Sequence, residues 1–242
     1  QGDLGTALVY VAAALLMCYG AGMHYGYFAA LAALGIVAFP FLWERMPEYR
    51  RKRILVAFAP QSDPLGYGYQ VMLSKNAISS GGWFGKGWRA LEISASIPAA
   101  HTDMIFAVIC EQTGFLGGGL LLVLYALILL RILMVGARGK NGFTRTFCTG
   151  VVGILGSHIA ENVAMNLGLA PVVGIPLPFI SCGGSALISC FFMIGLVLGI
   201  EQSRQSDTKR ILPEEKSELD DPDNQTEKSK DAQLISVLWP TE

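Results

Sequence analysis

Forty consecutive residues, 4–43, carry no formal charge. Between Met104 and Leu130 the one charge is Glu111, and between Thr146 and Ile200 it is Glu161. A helix needs about 20 apolar residues to cross the ~30 Å hydrocarbon core of a bilayer, and runs of this length are membrane spans. The composition agrees, with 52% hydrophobic and 15% charged residues. Together these features predict an all-α integral membrane protein, a polytopic bundle with about five transmembrane helices.

The spans divide the chain. Residues 1–43 hold two of them, Leu4 to Met23 and His24 to Trp43, hinged at Gly20-Ala21-Gly22. Closely spaced glycine and alanine in both predict tight helix packing rather than lipid exposure. Residues 44–103 form a large polar loop. Residues 104–200 hold three more spans, near 104–135, 146–169 and 185–200, interrupted by a proline- and glycine-rich turn at 170–184 that cannot be continuous helix. Residues 201–242, with eleven acids and six bases, read as a disordered acidic tail. The short connection carrying Arg138, Lys140 and Arg145 belongs in the cytoplasm by the positive-inside rule. Parity then makes the tail cytoplasmic and puts the 44–103 loop and the 170–184 turn outside. Arg45, Arg50, Arg51, Lys52 and Arg53 would face outer headgroups or an anionic ligand. The five cysteines sit in apolar surroundings with no metal-ligand spacing and read as small buried hydrophobes. The chain opens on Gln1-Gly2-Asp3 without a basic leader and reads as a piece of something longer.

Chemistry concentrates at His101-Thr102-Asp103, where the polar loop enters the third span. A partly desolvated aspartate there has its pKa pushed up toward that of a useful base. The same spacing also suits a helix N-cap by Thr102 or Asp103, so both roles stay open on the residues alone. Glu111 lies about two turns further on the same face, and Glu161 with Asn162 and His158 makes a polar cluster in the fourth span. Intramembrane carboxylates are costly and mark function or an internal partner; here a polar packing contact is expected of Glu111. Irregular backbone at 176–185 is tolerated only where protein buries it or it lines a wet cavity, which predicts a wall facing Asp103. Nothing points to nucleic acid, since the basic run has no binding module around it.

Several stretches now combine: Asp3-Leu4-Gly5-Thr6; Arg53-Ile54-Leu55 with Asp63-Pro64-Leu65-Gly66; Ser80-Gly81-Gly82-Trp83-Phe84-Gly85-Lys86-Gly87; His101-Thr102-Asp103; and Pro176-Leu177-Pro178-Phe179-Ile180-Ser181 with Gly183-Gly184-Ser185. With these the chain resembles the SEDS family of RodA, FtsW and SpoVE proteins, most nearly its RodA branch, and matches the last five of the usual ten spans. The resemblance implies a peptidoglycan glycosyltransferase of the bacterial inner membrane, acting in cell elongation and shape maintenance. It implies lipid II as substrate, a class B penicillin-binding protein as partner, surrounding membrane lipids, and no certain cofactor, with a divalent cation compatible at the pyrophosphate and no protein metal site. The family's acid falls on Asp103, the general base. His101, Thr102, Lys86, Arg89, Ser181, Gly183, Gly184 and Ser185 become candidate substrate contacts; Glu111, Glu161 and Asn162 are structural polar groups inside the membrane. Ala99 stands where relatives carry glutamate, the 89–96 segment is shorter than theirs, and Cys182 replaces their tyrosine. Two other classes remain alongside: a transporter of lipid-linked precursors, for which broken helices and intramembrane acids are suited, and a non-catalytic scaffold for a transpeptidase.

Overall fold

The computed structural model of the chain describes residues 4–219 except 65, 89–91, 99 and 140, with side chains from 5 through 206 other than that of Tyr67. Arg89, Ala99, Asp3 and residues 220–242 therefore lie outside the described residues. Seven α-helices follow in order: α1 (Leu4–Gly20), α2 (Tyr25–Arg45), α3 (Glu48–Phe58), α4 (Tyr67–Ser80), α5 (Ile105–Arg138), α6 (Gly142–Leu167) and α7 (Gly184–Leu219). Two 3₁₀ turns, Pro60–Ser62 and Ser94–Ser96, punctuate the stretch between α3 and α5. Among the described residues there is no strand.

Two compact units result, residues 1–197 and 198–242. In the first, α6 packs against α1, α4 and α5. The contact with α1 is built from small residues. A Cβ on Gly153 would sit 2.7 Å from the Ala13 backbone, and one on Gly150 2.8 Å from the Met17 side chain. The two helices thus run antiparallel at the close range that small residues permit. Asn162, Asn166, Ser157 and His158 also fall on α6, which is why it lacks the uniform apolarity of a lipid-facing helix. By length and composition three helices can cross a membrane, α2, α5 and residues 184–206 of α7; α1 is a shorter apolar helix. α6, 26 residues long, is less apolar because it carries amide, hydroxyl and imidazole side chains, and it packs along α1.

The 44–103 segment is not an open loop. α3 and α4 occupy much of it, and α4 packs on both α5 and α6. Ala77, Ile97, Ala100, Met104, Ala107 and Val108 form one buried cluster that joins α4, the approach to Asp103 and the first turns of α5. Hydropathy cannot signal such helices, since each is short and mixes polar with apolar residues, with only part of its surface covered by protein.

α5 is two helices in line. Gly114 breaks it with φ 70° and ψ −170°, left-handed backbone that glycine alone adopts without cost. The glycine loop 81–87 fills the break. Phe115 N donates to Gly82 O (2.8 Å), Leu116 N to Trp83 O (3.2 Å), Lys86 N to Glu111 O (3.0 Å) and Gly87 N to Gln112 O (3.1 Å). Carbonyl and amide groups freed by the kink are thereby paired, as backbone at membrane depth requires.

α2 reverses an expectation. Its glycines and alanines predict tight packing, yet none of its residues is buried. Nothing in the described residues covers it, and small side chains permit close approach without supplying a partner. His24 caps it, accepting from Gly26 N at 3.1 Å, and the Arg51 guanidinium bonds the Glu44 carbonyl at its other end. The second unit also departs from expectation: its backbone is helical through Leu219 rather than disordered from 201. Glu201 and Arg204, three residues apart on one face, pair at 2.7 Å.

Candidate active site at the start of α5

Asp103 lies in the turn just before α5, whose N-cap is Met104 with no side-chain cap bond. The cap comes instead from another helix: Asn166 Oδ1, on α6, accepts from Ala107 N at 3.3 Å, the third helical position where a cap normally binds. The capping role open to Thr102 and Asp103 in the sequence is thus filled, and the Asp103 carboxylate is left for other work.

That carboxylate is half-buried on the wall of a cleft of about 470 Å³ shared with Arg53, Asp63, Gly66, Gln70, Val172, Val173 and Gly174. Gly174 has φ +74°, and a Cβ there would stand 3.3 Å from Asp103 Oδ2. Its bare backbone lets the turn approach the acid. Burial pushes the Asp103 carboxyl above its ordinary value, and the hydrogen bond from Thr102 pulls it partly back. The net shift gives the carboxylate more basicity than an exposed aspartate.

The main chain beneath is pinned at three successive carbonyls. His101 O accepts from Cys182 N at 3.0 Å. Thr102 O accepts from Ser181 Oγ at 2.5 Å. Asp103 O accepts from Asn162 Nδ2 at 2.8 Å and Asn166 Nδ2 at 3.2 Å. Ser181 also accepts from Leu177 N at 2.7 Å, so its buried hydroxyl serves the backbone. The neighbouring turn carries Phe179 at φ 67°, a left-handed conformation that costs a residue with a side chain roughly 1–3 kcal/mol. Tyr125 OH holds it by donating to Pro178 O at 2.5 Å.

The sequence-predicted residues therefore separate into groups. Asp103 shares the cleft with Val172, Val173 and Gly174, whereas the 176–185 backbone expected as its wall does not line it. His101 is exposed and, with Thr102, Ser94 and Ala95, borders a second cavity of about 510 Å³ that Asp103 does not line. Lys86 does not line the Asp103 cleft: its ammonium meets Glu92 at 2.6 Å and Glu111 at 3.7 Å. The Glu92 hydrogen bond holds the Lys86 pKa above its ordinary value. Gly183 precedes α7, Gly184 and Ser185 open it, none of the three lines the cleft, and Ser185 is exposed. Glu161 lines a larger groove of about 530 Å³ with Arg50, Arg53, Leu8 and Pro171.

Glu111 is fully buried. Its two oxygens accept from Ile93 N and Ser94 N, each at 2.9 Å. A carboxylate bonded to two amides and a lysine has exchanged its hydration for protein donors. It fixes the segment leading to Asp103 onto α5.

Sequence reasoning passed over Asp63 and Gln70 as site residues, and over Asn166 and Ser74; Arg53, expected within the basic run to meet an anionic ligand, lines the Asp103 cleft. Ser74 Oγ donates to Asn166 O at 2.8 Å, docking α4 on the end of α6. Asn166 was within reach of the sequence: it follows Asn162 by four residues on one helix face, a polar pair inside an apolar helix.

Three comparisons bear on the chain. The FTSW_RODA_SPOVE family, described as cell cycle protein, matches residues 1–206. The peptidoglycan glycosyltransferase MrdB of Escherichia coli K12 is 38% identical over 217 residues, 87% of this chain and 58% of the relative. Stage V sporulation protein E of Bacillus subtilis is 34% identical, over 84% of this chain and 55% of the relative. The chain thus spans somewhat more than half the length of these relatives. A solved structure described as the structural coordination of polymerization and crosslinking by a peptidoglycan synthase complex superposes with TM-score 0.71 at 32% identity, covering 84% of this chain and 57% of that one.

Proposed function

This chain belongs to the FtsW, RodA and SpoVE family, and on that premise we propose that it is a peptidoglycan glycosyltransferase joining lipid-linked disaccharides, with Asp103 as general base. The single observation carrying this reading is the Asp103 carboxylate: half-buried, free of any cap, and set on an open cleft beside Arg53.

A sugar hydroxyl is a weak nucleophile, and a positioned base contributes typically 10²–10⁴-fold. Asp103 takes the proton of the acceptor's 4-hydroxyl as its oxygen attacks the anomeric carbon of the donor. The bond from that carbon to the pyrophosphate breaks, its electron pair leaves with undecaprenyl pyrophosphate, and the anomeric centre inverts. Arg53 on the same wall offsets charge growing on the leaving group, a role that positioned cations fill in phosphoryl chemistry. The cleft belongs on the outer face of the bacterial inner membrane, and the groove lined by Leu8, Val9, Ile54 and Pro171 continues from it past Arg53 and Val173. That continuity suits a substrate with a polar head and an isoprenoid tail. Lipid II is the substrate of this reading, elongation its setting, and a class B penicillin-binding protein its partner. Lys86 serves the fold here, and Arg53 takes the electrostatic role.

The test is glycan synthesis by the purified protein in liposomes loaded with lipid II. Polymer with inverted linkages is the expected product. Lipid II that crosses the bilayer while no polymer forms would replace this reading with transport.

A further inference from the structure

Asn162 is buried completely, and it has two amide hydrogens to place. One goes to Asp103 O at 2.8 Å and the other to Ile175 O at 2.7 Å. Ile175 follows Gly174, the residue whose backbone faces Asp103 Oδ2. One side chain on α6 thus ties down both the main chain of the acid and the wall opposite its carboxylate. Of the amide's two ends only the –NH₂ can face two carbonyl oxygens, so the orientation of this amide is fixed by its partners.

The tether is supported from behind. Asn166 Nδ2 donates to Asn162 O at 2.8 Å and reaches Asp103 O at 3.2 Å, while Asn166 Oδ1 accepts from Ala107 N and Ser74 Oγ. α4, α5 and α6 all meet at this pair. The cleft's width at the acid is consequently set by donors that never touch the cleft.

We propose that Asn162 is a positioning residue for the reaction, holding the Asp103 carboxylate and the Val172–Gly174 wall at their working separation. This rests on the reading of Asp103 as the base. A displacement of about 1 Å at a reacting group can cost 10²-fold in rate, and the shared amide is what limits such displacement here.

The experiment compares wild type, Asn162→Asp, Asn162→Ser and Asp103→Asn in lipid II polymerisation, with kcat and KM per folded protein and a pH–rate profile for each. Asn162→Asp keeps the shape but sets oxygen against both carbonyls. Its kcat should fall about 10²-fold with KM within about 3-fold, and the acid limb of its pH–rate profile should move. Asn162→Ser, which keeps one donor in a smaller volume, should lose about 10-fold and remains informative where the aspartate variant does not fold. Wild-type kcat and an unmoved pH limb in either folded variant overturn the proposal, even where Tm has dropped, because that pattern marks a residue that only stabilises. If Asp103→Asn polymerises at the wild-type rate, the reading of the base fails instead.

Discussion

α2 and α6 invert what a hydropathy scan suggests about importance. α2 meets every criterion for a membrane span, yet none of its residues is buried. α6, interrupted by Asn162, Asn166, His158 and Glu161, is where α1, α4 and α5 meet. A uniformly apolar helix is specified by lipid and asks little of its neighbours. A helix with small and amide side chains is specified by what it touches, and here it touches the backbone of the candidate base. Polar residues inside a membrane bundle thus locate the site more sharply than the spans do.

The largest expected effect lies where the polar interior is emptied. Glu111→Ala leaves two amides and Lys86 facing a void on the approach to Asp103. Each buried amide left without its acceptor costs roughly 1–3 kcal/mol, so thermal unfolding in detergent should show a drop of several degrees; an unchanged Tm would remove Glu111 from the framework.

The comparison of the two helices can be broken directly with a pair of alanines. Gly153→Ala on α6 drives a methyl to 2.7 Å from the Ala13 backbone, and overpacking of this kind costs about 1–3 kcal/mol. Gly35→Ala on α2 meets nothing within 4 Å and should stabilise by about 0.5–1 kcal/mol through helix propensity. Equal effects at the two sites, measured by unfolding in detergent, would mean that α6 is no more specified than α2.

A smaller effect sharpens the account of Asp103 itself. Its folded pKa is raised by burial, so ionisation is worse tolerated folded than unfolded. The contribution to stability is then fully present below the unfolded pKa and lost as pH rises through the folded one. Asp103→Asn should therefore be slightly more stable than wild type at neutral pH, and the gap should close as pH falls toward the ordinary aspartate range. Wild type exceeding the variant at pH 7 would mean that the carboxylate is held by favourable partners, contrary to the geometry.

Much of this was legible before any coordinates. The charge-free runs gave the membrane class, because that signal is compositional; the choice of Asp103 as base rests on the family resemblance, and the wall beside it is built by 172–174 rather than by the expected 176–185. α3 and α4 were not legible, since helices half covered by protein leave no membrane-length signature. The cap on α5, open between Thr102 and Asp103 on the residues alone, is supplied by the acceptor oxygen of Asn166, 59 residues away from Ala107 in the chain. Lys86 and Ser181 looked like ligand contacts by type, and the fold uses them for an ion pair and a backbone bond. Residue type indicates what a side chain can do; only proximity selects among the options.

The most direct test of the central claim is polymer formation from lipid II by Asp103→Asn at matched folded protein. The half-buried acid on an open cleft predicts a loss of about 10²-fold or more, with lipid II still bound. Polymerisation within a few-fold of wild type would contradict it.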